Sequence, residues 1–204
     1  MSTPKLDLIF DVDGVLVYPA MRFRDYLNNT HGISPEMTAP FFHGRFRDCV
    51  TGRSDLRNEL EVNLTRWGWP GTAETFIETW MHVDSTPDPT LLELVGSLRR
   101  QGFKCHVASV QERNRANYLR DIVGFKYAFD ETFFSCDVGA AKPDPAFYQA
   151  VQQRLGKLPN QLMLIDDSPA CIEAARRMGW QTFHYQQPTD QAHMIAAIAE
   201  FERR

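Results

Sequence analysis

The sequence predicts an α/β fold, a doubly wound parallel sheet carrying a small helical domain inserted behind its first strand. Three observations lead to that expectation. Short, nearly continuous apolar runs recur along the chain, as strands buried on both faces do. Helical patterns framed by proline and glycine alternate with them, which is the order of a parallel sheet with helical crossovers. The stretch 18–83 breaks the alternation, with helical patterns and no convincing strand.

Leu6–Phe10 is the first apolar run, and it is bounded by Asp11-Val12-Asp13-Gly14, the signature of a buried strand running into a loop. Within 18–83, Leu56, Leu60, Leu64 and Trp67 share one helical face, and Phe76, Ile77, Trp80 and Met81 share another. Tyr18-Pro19 and Ser85-Thr86-Pro87-Asp88-Pro89 are polar and proline-rich, so they mark hinges. The expected division is a core domain of residues 1–17 and 84–204 and an inserted helical cap domain of residues 18–83. Pro89–Arg100 places Leu91, Leu94, Val95 and Leu98 on one face, with Gly102 beyond its last turn as a cap. Lys104–Ala108 and Phe133–Cys136 read as the second and third strands. Asp144-Pro145 supplies an N-cap and a first-turn proline to a helix ending near Gly156. Gln161–Ile165 is the fourth strand, Ser168-Pro169 opens a helix closed by Gly179, and Gln181–Tyr185 is a fifth strand.

The 204 residues are 43% hydrophobic and 24% charged, ample for a core without a disulfide or metal staple, and unlike a disordered or low-complexity chain. A formal net charge of -4 argues against binding to nucleic acid or an anionic membrane by bulk electrostatics. Cys49, Cys105, Cys136 and Cys171 stand singly, without a CxxC, so reduced thiols are expected. The apolar stretch Lys5–Val17 is broken by Asp7, Asp11 and Asp13, which a secretory signal core does not tolerate. No stretch approaches the ~20 apolar residues that span a bilayer. A soluble, cytoplasmic protein is the expectation.

The chemistry is expected at strand ends. In open α/β sheets ligands bind outside the carboxyl ends of the strands, where Asp11 and Asp13 stand. Residues two apart on a continuing strand point to opposite faces, so the loop must turn at Gly14 for both carboxylates to converge. The second strand ends at Ser109, a hydroxyl able to donate to an anionic oxygen. The third is followed by Lys142-Pro143, and the fourth ends in Asp166-Asp167. Singly, each has an ordinary reading as turn former, solvated charge or helix cap. Together they supply complementary parts of one site. Four carboxylates around one lysine repel in low dielectric, and a hard divalent cation with oxygen ligands, Mg²⁺ first among them, resolves the conflict.

Through Phe10-Asp11-Val12-Asp13-Gly14-Val15-Leu16, Ser109, Lys142-Pro143-Asp144-Pro145 and Leu164-Ile165-Asp166-Asp167-Ser168-Pro169, the sequence resembles the haloacid dehalogenase-like (HAD) superfamily. The motifs occur in order and span the non-inserted part of the chain. The helical insertion resembles the cap of the subfamily that carries it between the first two motifs. The resemblance implies a phosphatase in which Asp11 attacks phosphorus to form an aspartyl-phosphate. It implies that Asp13 protonates the leaving oxygen and then deprotonates water, and that Ser109 and Lys142 hold the phosphoryl group. It further implies Mg²⁺ on Asp11, the backbone carbonyl of Asp13, and Asp166 or Asp167; the working hypothesis is that Asp167 is the direct carboxylate and Asp166 assists. Dehalogenases of the superfamily lack an acid–base aspartate at the position of Asp13, so the phosphatase branch is favoured. Val110 departs from the pattern, since members often carry Asn or Gly after the second-motif hydroxyl.

The cap is expected to choose the substrate. Phe41-Phe42-His43-Gly44-Arg45-Phe46-Arg47 and Thr51-Gly52-Arg53-Ser54 hold its candidate polar contacts, with Arg53 foremost because it follows Gly52 in a loop. Trp67, Trp69 and Trp80 read as cap core and His106 as a strand residue. A small phosphorylated metabolite, of sugar-phosphate or nucleotide type, is the expected partner of a monomer or homodimer, with no nucleic acid or membrane. A phosphomutase of the same fold and a non-catalytic binding module are the rival functions. The paired Asp11 and Asp13 speak against a pure binder.

Overall fold

A computed structural model describes residues 5–186 and 190–202. Its centre is a five-stranded parallel sheet of β1 (Asp7–Phe10), β2 (Lys104–Ser109), β3 (Glu131–Phe134), β4 (Leu162–Asp166) and β5 (Gln181–His184), in the order β3-β2-β1-β4-β5. The chain therefore winds outward on one side of β1 and returns to the other side, which puts a topological switch point at the carboxyl end of β1.

Between β1 and β2 lie α1 (Phe23–His31), α2 (Pro35–Phe42), α3 (Phe46–Val50), α4 (Leu56–Trp67), α5 (Ala73–Asp84) and α6 (Pro89–Arg100). Then come α7 (Arg113–Asp121), α8 (Phe125–Ala128), α9 (Ser135–Val138), α10 (Pro145–Leu155), α11 (Pro169–Arg177) and α12 (Gln191–Glu202). The caps follow the local chemistry. Asp55, Thr72, Asp88, Glu112 and Asp144 each accept first-turn N–H groups, and Gly32, Gly68 and Gly156 close helices in the left-handed region.

Period-two alternation separates the two faces of the sheet. Leu8 and Phe10 of β1 pack with α6, α7, α8 and α12, whereas Ile9 packs with α10 and α11. A third core belongs to the inserted segment. Its buried residues include Leu56, Leu60, Leu64 and Trp67 of α4 and Phe76, Ile77, Trp80 and Met81 of α5, and Trp69 packs against them half-buried. The strands lie within a residue or so of the sequence expectation, with one exception. The third was expected over Phe133–Cys136 and runs over Glu131–Phe134, because its partner β2 ends opposite Phe134 at Ser109. Beyond that register Ser135 begins the short helix α9. Among the described residues no helix is long and apolar enough to cross a membrane. All four cysteines are unpaired and buried.

Candidate active site

The loop after β1 turns as the paired aspartates require. The carbonyl of Val12 accepts from the N–H groups of Val15, Leu16 and Val17 at 3.2, 2.8 and 2.8 Å, and Gly14 sits at φ +79°. Asp11 continues the β1–β4 pairing by one bond, N–H to the carbonyl of Ile165 at 2.9 Å. Its Oδ1 accepts the Val12 N–H at 2.7 Å and faces Lys142 Nζ at 3.0 Å.

Lys142 arrives from the loop before α10, and its side chain is 1% exposed. It also donates to Asp166 Oδ2 at 2.5 Å. Asp166 is fully buried at the end of β4, and its Oδ1 takes the Ser168 N–H at 2.8 Å. Burial lowers the proton affinity of Lys142, but the carboxylates of Asp11 and Asp166 outweigh it and hold the ammonium well above its ordinary pKa. For Asp11, burial dominates. Against the pull of Lys142, and with Asp166 and Asp13 adding repulsion, its carboxyl is pushed up to about 7.

Asp167 follows Asp166 and is exposed, and burial together with the Asp166 charge raises its carboxyl as well. Its Oδ2 lies where a side chain on Gly14 would stand, 2.3 Å from the position a Cβ would take. One carboxylate oxygen from each of Asp11, Asp166 and Asp167 lies within 4.8 Å of the others. These are hard oxygen donors with more negative charge than one lysine offsets, so the residues present fit a hard divalent cation.

Ser109 ends β2 and is buried, its hydroxyl accepting from Gln111 Nε2 at 3.0 Å, and its interaction with the Asp11 carboxylate offsets a small part of the rise in that carboxyl's pKa. Thus Asp11, Asp13, Ser109, Lys142, Asp166 and Asp167 stand at the ends of β1, β2 and β4 or in the loops beside them. Arg53 is different. It lies in the inserted segment, largely exposed, with Nε and a terminal nitrogen both 3.0 Å from Asp48 Oδ1. Its neighbour Gly52 is the residue that meets the sheet domain, with a Cβ there 2.3 Å from the carbonyl oxygen of Cys136.

Two residues of the site were not legible in the sequence. Arg115 of α7 forms a two-pronged pair with Asp13, NH2 to Oδ1 at 2.7 Å and NH1 to Oδ2 at 2.8 Å. Gln111 donates to Asp13 Oδ2 at 2.7 Å. Burial raises the Asp13 pKa, but the charge and hydrogen bonds of Arg115, with Gln111, more than offset this and hold it below its ordinary value. Gln-Glu-Arg-Asn-Arg looks like the solvated start of a helix. The available signal is that Arg115 shares the buried face of Ala116 and Leu119. Gln111, one residue beyond Val110, also donates its side-chain amide to the hydroxyl of Ser109 at 3.0 Å.

Residues 8–179 match the haloacid dehalogenase-like hydrolase family. The chain is 26% identical over 192 residues to hexitol phosphatase A of Escherichia coli (strain K12), covering 89% of this chain and 83% of that protein. It is 33% identical over 144 residues to flavin mononucleotide hydrolase 1 of Arabidopsis thaliana, covering 71% of this chain and 56% of the relative. Its fold is similar to that of a HAD family enzyme of Bacteroides thetaiotaomicron in complex with magnesium and inorganic phosphate. The TM-score is 0.79 at 20% sequence identity, over 94% of this chain and 99% of that one.

Proposed function

The chain belongs to the haloacid dehalogenase-like hydrolases, and from that membership we propose that it is a Mg²⁺-dependent phosphatase acting on a small phosphorylated metabolite. The observation that carries the reading is the convergence of Asp11, Asp166 and Asp167 around Lys142 at the switch point of the sheet, with Asp13 on the same loop as Asp11.

Asp11 is the nucleophile. Its carboxylate oxygen bonds to phosphorus while the ester P–O bond breaks, and Asp13 gives a proton to the departing alcohol oxygen. Asp13 then takes a proton from the water that attacks the aspartyl-phosphate, which releases phosphate and restores Asp11. Lys142 offsets charge on Asp11 and on the phosphoryl oxygens, and the Ser109 hydroxyl bonds one of them. Asp11, Asp167 and the carbonyl of Asp13, with Asp166 assisting, would hold a Mg²⁺ ion, which would supply charge neutralisation at the phosphoryl group. The division between the two adjacent aspartates is supported by their surroundings. Both oxygens of Asp166 are engaged, by Lys142 and Ser168, whereas Asp167 faces solvent.

A substrate of sugar-phosphate or nucleotide type fits a site beneath an inserted helical segment, and two relatives are named for a hexitol phosphate and a flavin mononucleotide. The buried, unpaired cysteines accord with a reducing, cytoplasmic setting. The test is phosphate release from hexitol phosphates, sugar phosphates, phosphoglycolate and nucleotides including flavin mononucleotide. Release is expected with Mg²⁺, lost in EDTA, and lost in Asp11→Asn. Release that persists in Asp11→Asn, or isomerised ester without net phosphate, would overturn the reading.

A further inference from the structure

Arg115 does two things at once, and the mechanism above uses neither. On one side its guanidinium grips both oxygens of Asp13. On the other, NH2 donates to the carbonyl of Asp84 at 2.8 Å and Nε donates to Ser85 Oγ at 3.4 Å. NH1 also donates to Gln111 Oε1 at 3.0 Å, so the planar fork is bonded on every side. The side chain is only 6% exposed, and a guanidinium so deeply placed must keep these partners or suffer uncompensated burial.

The origin of this arginine is fixed. Glu112 caps α7, accepting the N–H of Arg115 at 2.6 Å and that of Asn114 at 2.8 Å, so the guanidinium projects from a rigid first turn of the sheet domain. Asp84 and Ser85 stand at the exit of the inserted helical segment, where α5 runs into the hinge that joins it to the sheet domain. Asp84 ends α5 and Ser85 begins the strand of chain that leaves the inserted helical segment. That outgoing chain is laced to the loop of Asp13: Tyr18 N–H donates to the Thr86 carbonyl at 3.1 Å and Asp88 N–H to the Leu16 carbonyl at 2.8 Å. Arg115 is therefore a shared tie among α7, the exit of the inserted segment, and Asp13.

We propose that Arg115 is the positioning residue for Asp13, and that it makes the placement of this carboxylate depend on where the inserted segment holds Asp84 and Ser85. The inference rests on the reading of Asp13 as the acid–base group. A two-pronged arginine fixes both the plane and the direction of a carboxylate, which a lysine does not. Shifting the exit of the inserted segment removes two of the bonds that hold the fork, and Asp13 then loses its alignment with the leaving oxygen.

The experiment compares two esters with opposite demands. A hexitol phosphate has an alkoxide leaving group that needs a proton, and p-nitrophenyl phosphate has one that does not. With Arg115→Met, the first-turnover release of alcohol from the hexitol phosphate, which reads the transfer step alone, is expected to fall by ~10-fold or more, within the ~10²–10⁴-fold value of the acid itself. First-turnover release of p-nitrophenolate is expected to stay within about threefold, while steady-state turnover falls for both esters because Asp13 also deprotonates the water of the second step. Arg115→Lys, which keeps the charge without the fork, should show the same selectivity in milder form and decides the matter if Arg115→Met does not fold. Ser85→Ala, which leaves Asp13 untouched, should give a selective loss of about twofold to threefold, the size of one weak hydrogen bond. Equal losses for both esters in the first-turnover release, or no loss for either, would overturn the proposal. Asp13→Ala separates the two levels of the argument. If it lacks the leaving-group selectivity, the acid–base reading of Asp13 fails. If it shows the selectivity and the Arg115 variants do not, only the role of Arg115 fails.

Discussion

At Gly14 two requirements meet in one residue. The loop needs a positive φ to bring Asp11 and Asp13 to the same side, and the space beside its Cα is filled by the Asp167 carboxylate. Alanine here pays about 1–2 kcal/mol for the left-handed conformation and displaces Asp167 as well. Gly14→Ala is therefore expected to weaken Mg²⁺ binding, read by titration calorimetry, beyond any loss of stability. A ligand at 100 times its Kd stabilises the native state by about 2.7 kcal/mol, so the rise in Tm expected of the parent protein on adding Mg²⁺ should shrink in the variant. An unchanged Mg²⁺ affinity would show that Asp167 does not contribute to the cation site. At this scale the sequence was informative where several residues with ordinary readings one by one stand at successive strand ends, as the aspartate pair, Lys142 and the Asp166-Asp167 pair do, and the structure brings Asp11, Lys142 and Asp166 into contact. It was all but silent on Arg115, because the one cue, a helical face shared with Ala116 and Leu119, is masked by the polar stretch around it.

Among the elements, β1 is central, and its two ends serve different purposes. Its carboxyl end delivers Asp11, while its amino end carries Asp7, buried between His106 Nε2 of β2 at 3.2 Å and Lys157 Nζ beyond α10 at 2.9 Å. Burial alone raises the Asp7 pKa, but the bonds from His106 and Lys157 and the lysine charge hold it below the ordinary 3.8. A carboxyl depressed in this way stabilises the fold above its unfolded pKa and gives that stability up as pH falls through its lower folded value. Asp7→Asn is accordingly expected to lose roughly 2 kcal/mol in urea unfolding at pH 7, with the gap to the parent protein narrowing below about pH 4. A gap that stays constant down to acid pH would mean that Asp7 matters by shape and not by charge. Strand positions were readable because strands covered on both faces are written as apolar runs. The end of β3 was not, since Phe133–Cys136 is apolar enough to continue but has no partner once β2 stops.

Over the whole molecule, the inserted segment touches the sheet domain at places other than its hinges. Ser135 Oγ donates to the Val50 carbonyl at 2.5 Å, and Gly52, at φ +73°, passes close to the Cys136 carbonyl. Gly52→Ala cannot keep that approach. The expected result is looser docking worth about 1–2 kcal/mol, a roughly 5–30-fold rise in amide exchange around residues 50–54, with the sheet strands unaffected. Exchange rising equally in β1 and β4 would instead indicate global destabilisation. The sequence by itself determined the fold class, the order of the strands along the chain, the helical character of the stretch between the first two strands, and which residues end the strands. Those features follow from local periodicity, from proline and glycine punctuation, and from side chains whose chemistry is rarely wasted. Only the tertiary structure decided that Arg115 and Gln111 face Asp13, that Arg53 pairs with Asp48, and that Gly52 meets Cys136. These contacts join segments distant in the chain or depend on which way a long polar side chain turns. That direction is set by the burial and hydrogen-bond partners the packed molecule supplies, which the sequence does not encode locally.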